Sequence, residues 1–303
     1  MLCNNFTNGI DNQHGDQPIR VFYNLIESYF IGIKEALTNL RPNDNVLSKV
    51  RLEYLTENIR VIGPSTNGLK ITLHDSFLSF LWTNIYSIIV TTPSGGKEVT
   101  LDENKQAREL RKYGISLKQQ YSAWDKETMP NPELHPKDPK RLIGVSNAVF
   151  LSAVQFILLH EFAHVFLGHP FVPLKERTSE NLRKMEVDAD NFAIMWAMDS
   201  SSPDNKFTDN IAWIAALNSL SYTPNKFSDT KIHPAPEDRI ILCLERLNLK
   251  EDDYLWSYAL WSIMEWQTNF ELFHIPKYKV GDNFKKHFYD MIKELKEYKK
   301  KLV

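Results

Sequence analysis

An uninterrupted apolar run in the middle of the chain most constrains how this chain can fold. Residues 146–159 contain no Pro or Gly and are apolar nearly all round, which predicts a helix buried on every side. Ser146 or Asn147 is expected to be its N-cap. Gly168 and Pro170 are expected to end the helix. A segment of this kind must lie in the core, and the remaining elements must cover it.

The apolar run leads directly into His160, Glu161 and His164, which form the pattern HEFAH. Two histidines four residues apart lie on one face of a helix, so both imidazoles can hold one metal ion. The glutamate between them then faces the open side of the metal, where it can take a proton from an activated water molecule. The pattern can also arise by chance. However, polar side chains at the end of a buried helix are costly unless something pairs with them, which favours a zinc site.

A third ligand is expected on the next long helix, predicted over residues 180–198. Zinc sites that take two histidines from one helix often add a carboxylate and leave one position for water. Glu186 fits this role, and the small Ala189 lets helices approach closely. Asp190 lies one turn after Glu186 and can fix the tautomer of a ligand histidine. The alternative is that Glu186, Asp188 and Asp190 form a solvated acidic face.

Composition places the chain among ordinary globular proteins. It has 303 residues, 43% of them apolar and 24% charged, which is ample for a core. A net charge of −2 predicts no general affinity for nucleic acid or acidic membranes. Cys3 and Cys243 provide no disulfide framework, which suits a reducing compartment.

The domain prediction is a flexible tail followed by one domain. Residues 1–18 lack the basic start and apolar core of a signal peptide and are rich in Asn, Gly, Asp and Gln. Residues 19–303 are expected to form a single domain, with a metal-site core over about 74–240 and a helical part over 241–303.

The predicted fold is mainly α, an α+β fold with a small sheet. Alternation of apolar and polar residues predicts one short strand over 69–74. Helical spacing or apolar runs predict further helices over 19–40, 44–61, 77–90, 101–124, 211–220, 240–247 and 284–302. The aromatic residues of 254–273 are expected in the core. The lysines of 284–302 alternate with glutamates and are expected on a solvated face.

Residues 77–90 are apolar enough to raise the question of a membrane span. The run is shorter than the roughly 20 residues that a span needs, so we expect a buried core helix capped by Asp75 or Ser76. His74, just before it, is expected to be structural.

Residues 125–141 carry four prolines and are expected to lack regular structure. The segment is interpreted as a surface connector or, alternatively, as a loop that gates access to the site. His135 within it is left without a role.

Three motifs together resemble the gluzincin metallopeptidases. HExxH is followed by ExxAD at Glu186–Asp190 and by HPxxxxR at His233–Arg239. Within that group the chain is most similar to the Lit-like phage-exclusion peptidases. The apolar segment over residues 73–90 of this chain also resembles one in those proteins. The resemblance covers about residues 74–239. Membrane-bound gluzincins share HPxxxxR, but this sequence lacks their several predicted spans.

The resemblance implies a zincin-like fold around a buried HExxH helix and a cytoplasmic toxin that cleaves translation elongation factor Tu after a phage-derived activator appears. It also implies that His233 donates to the oxyanion and that Arg239 orients the His233 loop through a carboxylate or a carbonyl group. The alternative for His233 is a helix cap at Pro236.

The expected chemistry is metal-assisted peptide hydrolysis on a protein substrate, without nucleic acid or membrane partners. Zn²⁺ is the expected cofactor, held by His160, His164 and Glu186, with Glu161 as the general base. Two alternatives remain open. One is a non-catalytic, zinc-stabilised binding or regulatory protein. The other is an all-helical interaction protein with an accidental HExxH.

Overall fold

The computed structural model describes residues 17–92, 99–138, 141–221, 233–270 and 283–301. The chain divides into two compact units, residues 1–172 and 173–303. Most of the predicted N-terminal tail therefore lies outside the described residues, and the single domain over 19–303 stays a prediction.

The first unit contains a three-stranded sheet with β3 (Lys70–His74) in the middle. β1 (Arg51–Leu55) pairs with it in parallel, and β2 (Ser65–Thr66) pairs with it antiparallel. The strand predicted over 69–74 is confirmed as β3. The helix predicted over 44–61 is wrong. Asp44 instead accepts hydrogen bonds from the backbone of the two residues at 46 and 47, and such a turn competes with a helix start.

Four α-helices complete the described part of the first unit. They are α1 (Tyr23–Leu40), α2 (Asp75–Thr91), α3 (Leu101–Ser116) and α4 (Leu142–Phe166). α4 packs against both α1 and α2, and α2 packs closely against α3. A 3-10 helix at Pro18–Phe22 precedes α1, so the helix predicted over 19–40 is confirmed with a tighter first turn. α3 ends eight residues before the predicted residue 124.

α2 is buried along almost its whole length, which confirms a core helix at 77–90. The predicted caps are wrong, because His74 is the N-cap residue and no side chain caps the helix. The carboxylate of Asp75 instead accepts hydrogen bonds from Arg20 and Tyr23, which join the start of α2 to the start of α1. Burial, together with the Asp75 carboxylate, raises the pKa of Tyr23, so the phenol stays a donor. His74 is buried beside Ser76, as expected of a structural histidine.

α4 begins before the predicted caps, so the assignment of Ser146 or Asn147 as N-cap is wrong. Arg141 is the N-cap residue, and the carboxylate of Asp138 accepts a hydrogen bond from the backbone N–H of Ile143 over 2.6 Å. Asn147 has another role: its side chain accepts from the indole of Trp82 and donates to the backbone of the proline-rich segment. A carboxylate before the helix therefore satisfies one of the first-turn N–H groups that have no partner within the helix.

The proline-rich segment 125–141 has regular structure, contrary to the prediction. Residues Pro132–Lys137 form a 3-10 helix that Asn131 caps, and residues 139–140 lie outside the described part. The ring of His135 packs on Gly144, where a Cβ would lie 2.7 Å from it. Asn147, which bonds this segment, precedes His160 by thirteen residues, or about 20 Å along a helix. That anchoring supports the connector interpretation.

α4 is also the one described helix that is long and apolar enough to cross a membrane. Of its most apolar window, 72% is buried inside the protein. Aromatic pairs such as Phe22 with Phe150 and Phe30 with Phe162 line it. A core helix passes the same length test as a span, and this burial is consistent with a soluble protein.

The second unit is built from five described α-helices. They are α5 (Ser179–Ser200), α6 (Lys206–Ser221), α7 (Pro236–Leu247), α8 (Tyr254–Phe270) and α9 (Phe284–Lys300). α5 and α6 pack on α7, α8 packs on α6, and α9 packs on α8. Each of the helices predicted here is confirmed within a few residues. The fold is therefore mainly α with a small sheet, as predicted.

The last helix is amphipathic and is joined to α7 by ion pairs. Lys299 bonds Glu237, which is 1% exposed, and Lys296 bonds Asp238. Trp256 of α8 is buried, as expected of a core aromatic. Lys296 and Lys299 thus each pair with a carboxylate of α7.

The contact between α2 and α3 gives a stability prediction. Gly114 is buried, and a Cβ there would lie 2.1 Å from Oγ1 and 3.0 Å from Cβ of the stiff Thr83 side chain. We expect Gly114→Ala to lower the free energy of unfolding by about 1–3 kcal/mol through overpacking. Gly32 in α1 is exposed with no atom within 4 Å, so Gly32→Ala should raise it by up to about 1 kcal/mol. Denaturant unfolding measures both, and shifts of the same sign would contradict the assigned packing.

Candidate active site

The histidines of HEFAH converge on one face near the end of α4. The Nε2 atoms of His160 and His164 lie 3.1 Å apart, and His160 is buried. Two nitrogen ligands of a tetrahedral zinc ion at ordinary bond lengths lie about 3.3 Å apart. The pair is therefore arranged as two ligands of one metal ion would be, on a helix fixed by its packing.

Glu161 stands between these histidines and is 7% exposed. A carboxylate is a group that can accept a proton from water and release it again. The structure places Glu161 on the same buried turn as His160.

A third histidine, His169, to which the sequence analysis gave no role, contacts His164. Gly168 has a φ of 78° and turns the chain back after α4. His169 begins the following 3-10 helix, and its Nδ1 lies 2.9 Å from Nδ1 of His164. The signal that could have found it is a histidine placed directly after the glycine that ends the motif helix.

The remaining predicted residues lie in the second unit. Glu186 is on α5, and its Oε2 lies 3.0 Å from Nδ1 of His233. The side chain of Glu186 is 14% exposed and that of His233 is 45% exposed. α7 has Ala235 as its N-cap residue, and no side chain caps it. His233 is therefore not the N-cap residue itself, and both its structural role near the helix start and its catalytic role stay predictions.

Asp190 and Arg239 form a buried bidentate ion pair. Nε and Nη2 of Arg239 each donate to the Asp190 carboxylate over 2.7 Å, and Asp190 is fully buried. Arg239 thus binds a carboxylate, as the sequence analysis expected of it. The solvated-face alternative is wrong for Asp190, whereas its predicted bond to a histidine stays a prediction.

The donor set predicted from the sequence is His160, His164 and Glu186, and each of these residues offers one ligand atom of a kind that zinc binds. Cys243 does not extend this set, because burial, and then the charge of Asp190, raise the pKa of its thiol. A neutral buried thiol is a poor metal ligand.

Comparison with known proteins points to peptidases. Residues 71–259 match the family model described as Peptidase U49. The chain is also 29% identical over 201 residues to a protein named "Cell death peptidase" from Escherichia coli (strain K12). That alignment covers 60% of this chain and 65% of the relative, slightly under two thirds of the relative's length. No solved structure matches.

These matches confirm the resemblance to Lit-like peptidases. They favour a peptidase over an interaction protein with an accidental HExxH, because the region that matches the peptidase family contains the motif. A peptidase acts on a protein substrate. The family match reaches from β3 into α8, so it includes the residues predicted to form the site.

The buried pair yields a second stability prediction. Asp190→Asn leaves the Arg239 charge without its carboxylate, and we expect a loss of about 3–5 kcal/mol in the free energy of unfolding. Asp188→Asn, a half-buried position on the same helix, should change it by less than about 0.5 kcal/mol. Arg239→Lys keeps the charge but cannot form the bidentate pair with Asp190, so it should also lower the free energy of unfolding. Equal denaturation midpoints for the two Asp variants would contradict the assignment.

Proposed function

This chain belongs to the peptidase U49 family, and we propose that it is a zinc-dependent endopeptidase that hydrolyses a peptide bond in a folded protein substrate. The observation that carries the proposal is the 3.1 Å approach of the His160 and His164 Nε2 atoms on a buried helix. Burying the imidazole of His160 and the carboxylate of Glu161 beside the half-buried His164 costs free energy unless these groups share a task.

His160, His164 and Glu186 would hold the zinc ion, which supplies Lewis acidity and lowers the pKa of water to about 7. Glu161 accepts a proton from the attacking water while the oxygen of that water adds to the peptide carbonyl carbon. Glu161 then passes that proton to the amide nitrogen as the C–N bond breaks. The products are a carboxylate and a protonated amine, which together contain every atom of the water and the peptide.

His233 is proposed to donate a hydrogen bond to the oxyanion that develops on the carbonyl oxygen. Its 3.0 Å approach to the Glu186 carboxylate supports a position beside a ligand of the proposed site. Arg239 and Asp190 are proposed to keep this part of the second unit in place. The HPxxxxR segment thus contributes one donor and one positioning ion pair.

The biological role is proposed from the Lit-like resemblance. It comprises a cytoplasmic location, release by a phage-derived activator and cleavage of elongation factor Tu. The printed name of the bacterial relative, "Cell death peptidase", agrees with a toxin. The second candidate is a non-catalytic zinc-stabilised regulator. The buried Glu161 argues against it, because a structural zinc site needs no general base.

Glu161→Gln tests the enzymatic proposal. The amide keeps the side-chain shape but cannot accept the proton, so the variant should bind about one zinc per chain, as wild type does, and lose cleavage. His160→Ala should lose both zinc and the thermal stabilisation that zinc gives. Metal analysis and fragment identification by proteomics after expression compare the three proteins. Wild-type cleavage by Glu161→Gln would refute the mechanism, and equal zinc in His160→Ala would refute the ligand set.

His233→Ala separates an oxyanion donor from a residue that only holds Glu186. Loss of a transition-state donor should lower turnover by roughly 100-fold or more, with zinc content and KM nearly unchanged. His233→Phe keeps an aromatic ring and should lose turnover equally. His135→Ala, at a histidine packed against the start of α4, is the matched control and should keep normal turnover. Zinc loss that parallels the loss of turnover would assign His233 to the support of Glu186 instead.

A further inference from the structure

We propose that His169 is a positioning residue that accepts a hydrogen bond from Nδ1–H of His164 and thereby directs the lone pair of His164 Nε2 toward the metal. This inference rests on the proposed zinc site. It begins from two contacts on one ring: Nε2 of His164 lies 3.1 Å from Nε2 of His160, and Nδ1 of His164 lies 2.9 Å from Nδ1 of His169.

The proton assignment follows from the chemistry of a neutral imidazole. Such a ring carries one N–H and one lone pair. If the lone pair at Nε2 of His164 serves the metal, its proton must reside on Nδ1. The Nδ1 of His169 then accepts this proton in a hydrogen bond, and His169 carries its own proton on Nε2. The tautomers of both rings are therefore fixed by one contact.

His169 is not placed as a third ligand of the same ion. The two nitrogens of an imidazole direct their bonds to different sides of the ring. His160 lies at the Nε2 side of His164, whereas His169 lies at the Nδ1 side. A metal held between His160 and His164 is therefore separated from His169 by the His164 ring. His169 acts through His164 and does not touch the reacting atoms.

The backbone after α4 is built to bring His169 back. Gly168 ends the helix with a φ of 78°, in the left-handed region that other residues rarely adopt, and the next three residues form a 3-10 helix. The turn is closed by a hydrogen bond from Phe171 N–H to the carbonyl of Gly168 over 3.0 Å. This reversal places a ring five residues after His164 against that same ring.

The turn between β2 and β3 also contacts the segment that follows Gly168. Gly68 has a φ of 92°, and a Cβ there would lie 2.7 Å from the ring of Phe171 and 3.1 Å from Pro170. The two residues that follow His169 are therefore packed against the sheet. His169 is held by structure on both sides rather than by its contact with His164 alone.

The test is the zinc affinity of the full chain, measured by competition with a chromophoric chelator. His169→Phe keeps a ring but offers no acceptor, and we expect its zinc affinity to fall by about 10–100-fold. His169→Asn places a carbonyl oxygen near the former Nδ1 and should keep affinity close to wild type. His135→Phe, a matched change at a histidine away from the motif, should not alter it. If the larger phenylalanine side chain prevents folding, His169→Ala replaces His169→Phe, and we expect the same fall in zinc affinity.

The outcomes separate this inference from the proposed function. Weak zinc binding by His169→Phe together with near-normal zinc binding by His169→Asn supports the inference, provided that the zinc-free proteins melt at similar temperatures. Tight zinc binding by wild type and by His169→Phe alike overturns the role of His169 and leaves the peptidase proposal intact. If His169→Phe and His169→Asn lower the zinc affinity equally, the acceptor role is overturned and His169 acts through packing. A wild-type chain that takes up no zinc overturns the zinc proposal and this inference with it.

Discussion

Burial of α4 is the constraint on which the first unit depends. The helix is apolar nearly all round for most of its length, and its carboxylate and imidazole side chains, Glu161, His160 and His164, all lie in its last turns. α1 and α2 cover it with aromatic side chains, and the Asp75 bonds to Arg20 and Tyr23 fix the starts of these two helices. Protein interiors are close-packed, so the motif residues inherit the rigidity of the core.

The second unit fixes its polar residues differently. Asp190 and Arg239 are 49 residues apart in the sequence, yet they form a buried bidentate ion pair between α5 and α7. Such a pair is costly to bury and still more costly to break, so it is better evidence of a required geometry than of added stability. It fixes the relative placement of the helix that carries Glu186 and of the residues after His233.

Much of this fold follows from local sequence pattern, and the errors have physical causes. The periodic or apolar helices were predictable because burial and spacing agree along one segment. β1 was missed because its structure comes from pairing with β3, nineteen residues later in register. The start of α4 was misplaced because Asp138, outside the apolar run, bonds its first turn. His169 was missed because its contact depends on the backbone turn at Gly168, which side-chain spacing does not reveal.

The link between α9 and α7 bears on how the chain can be divided. Similarity to the peptidase family stops at residue 259, whereas Glu237, inside the matched region and 1% exposed, takes its cation from Lys299, well beyond it. A protein shortened at the similarity boundary would retain every proposed site residue and yet strand a buried carboxylate. The boundary of shared ancestry and the boundary of cooperative folding are thus different positions in this chain, and the terminal helix belongs to the energetic unit of the HPxxxxR segment.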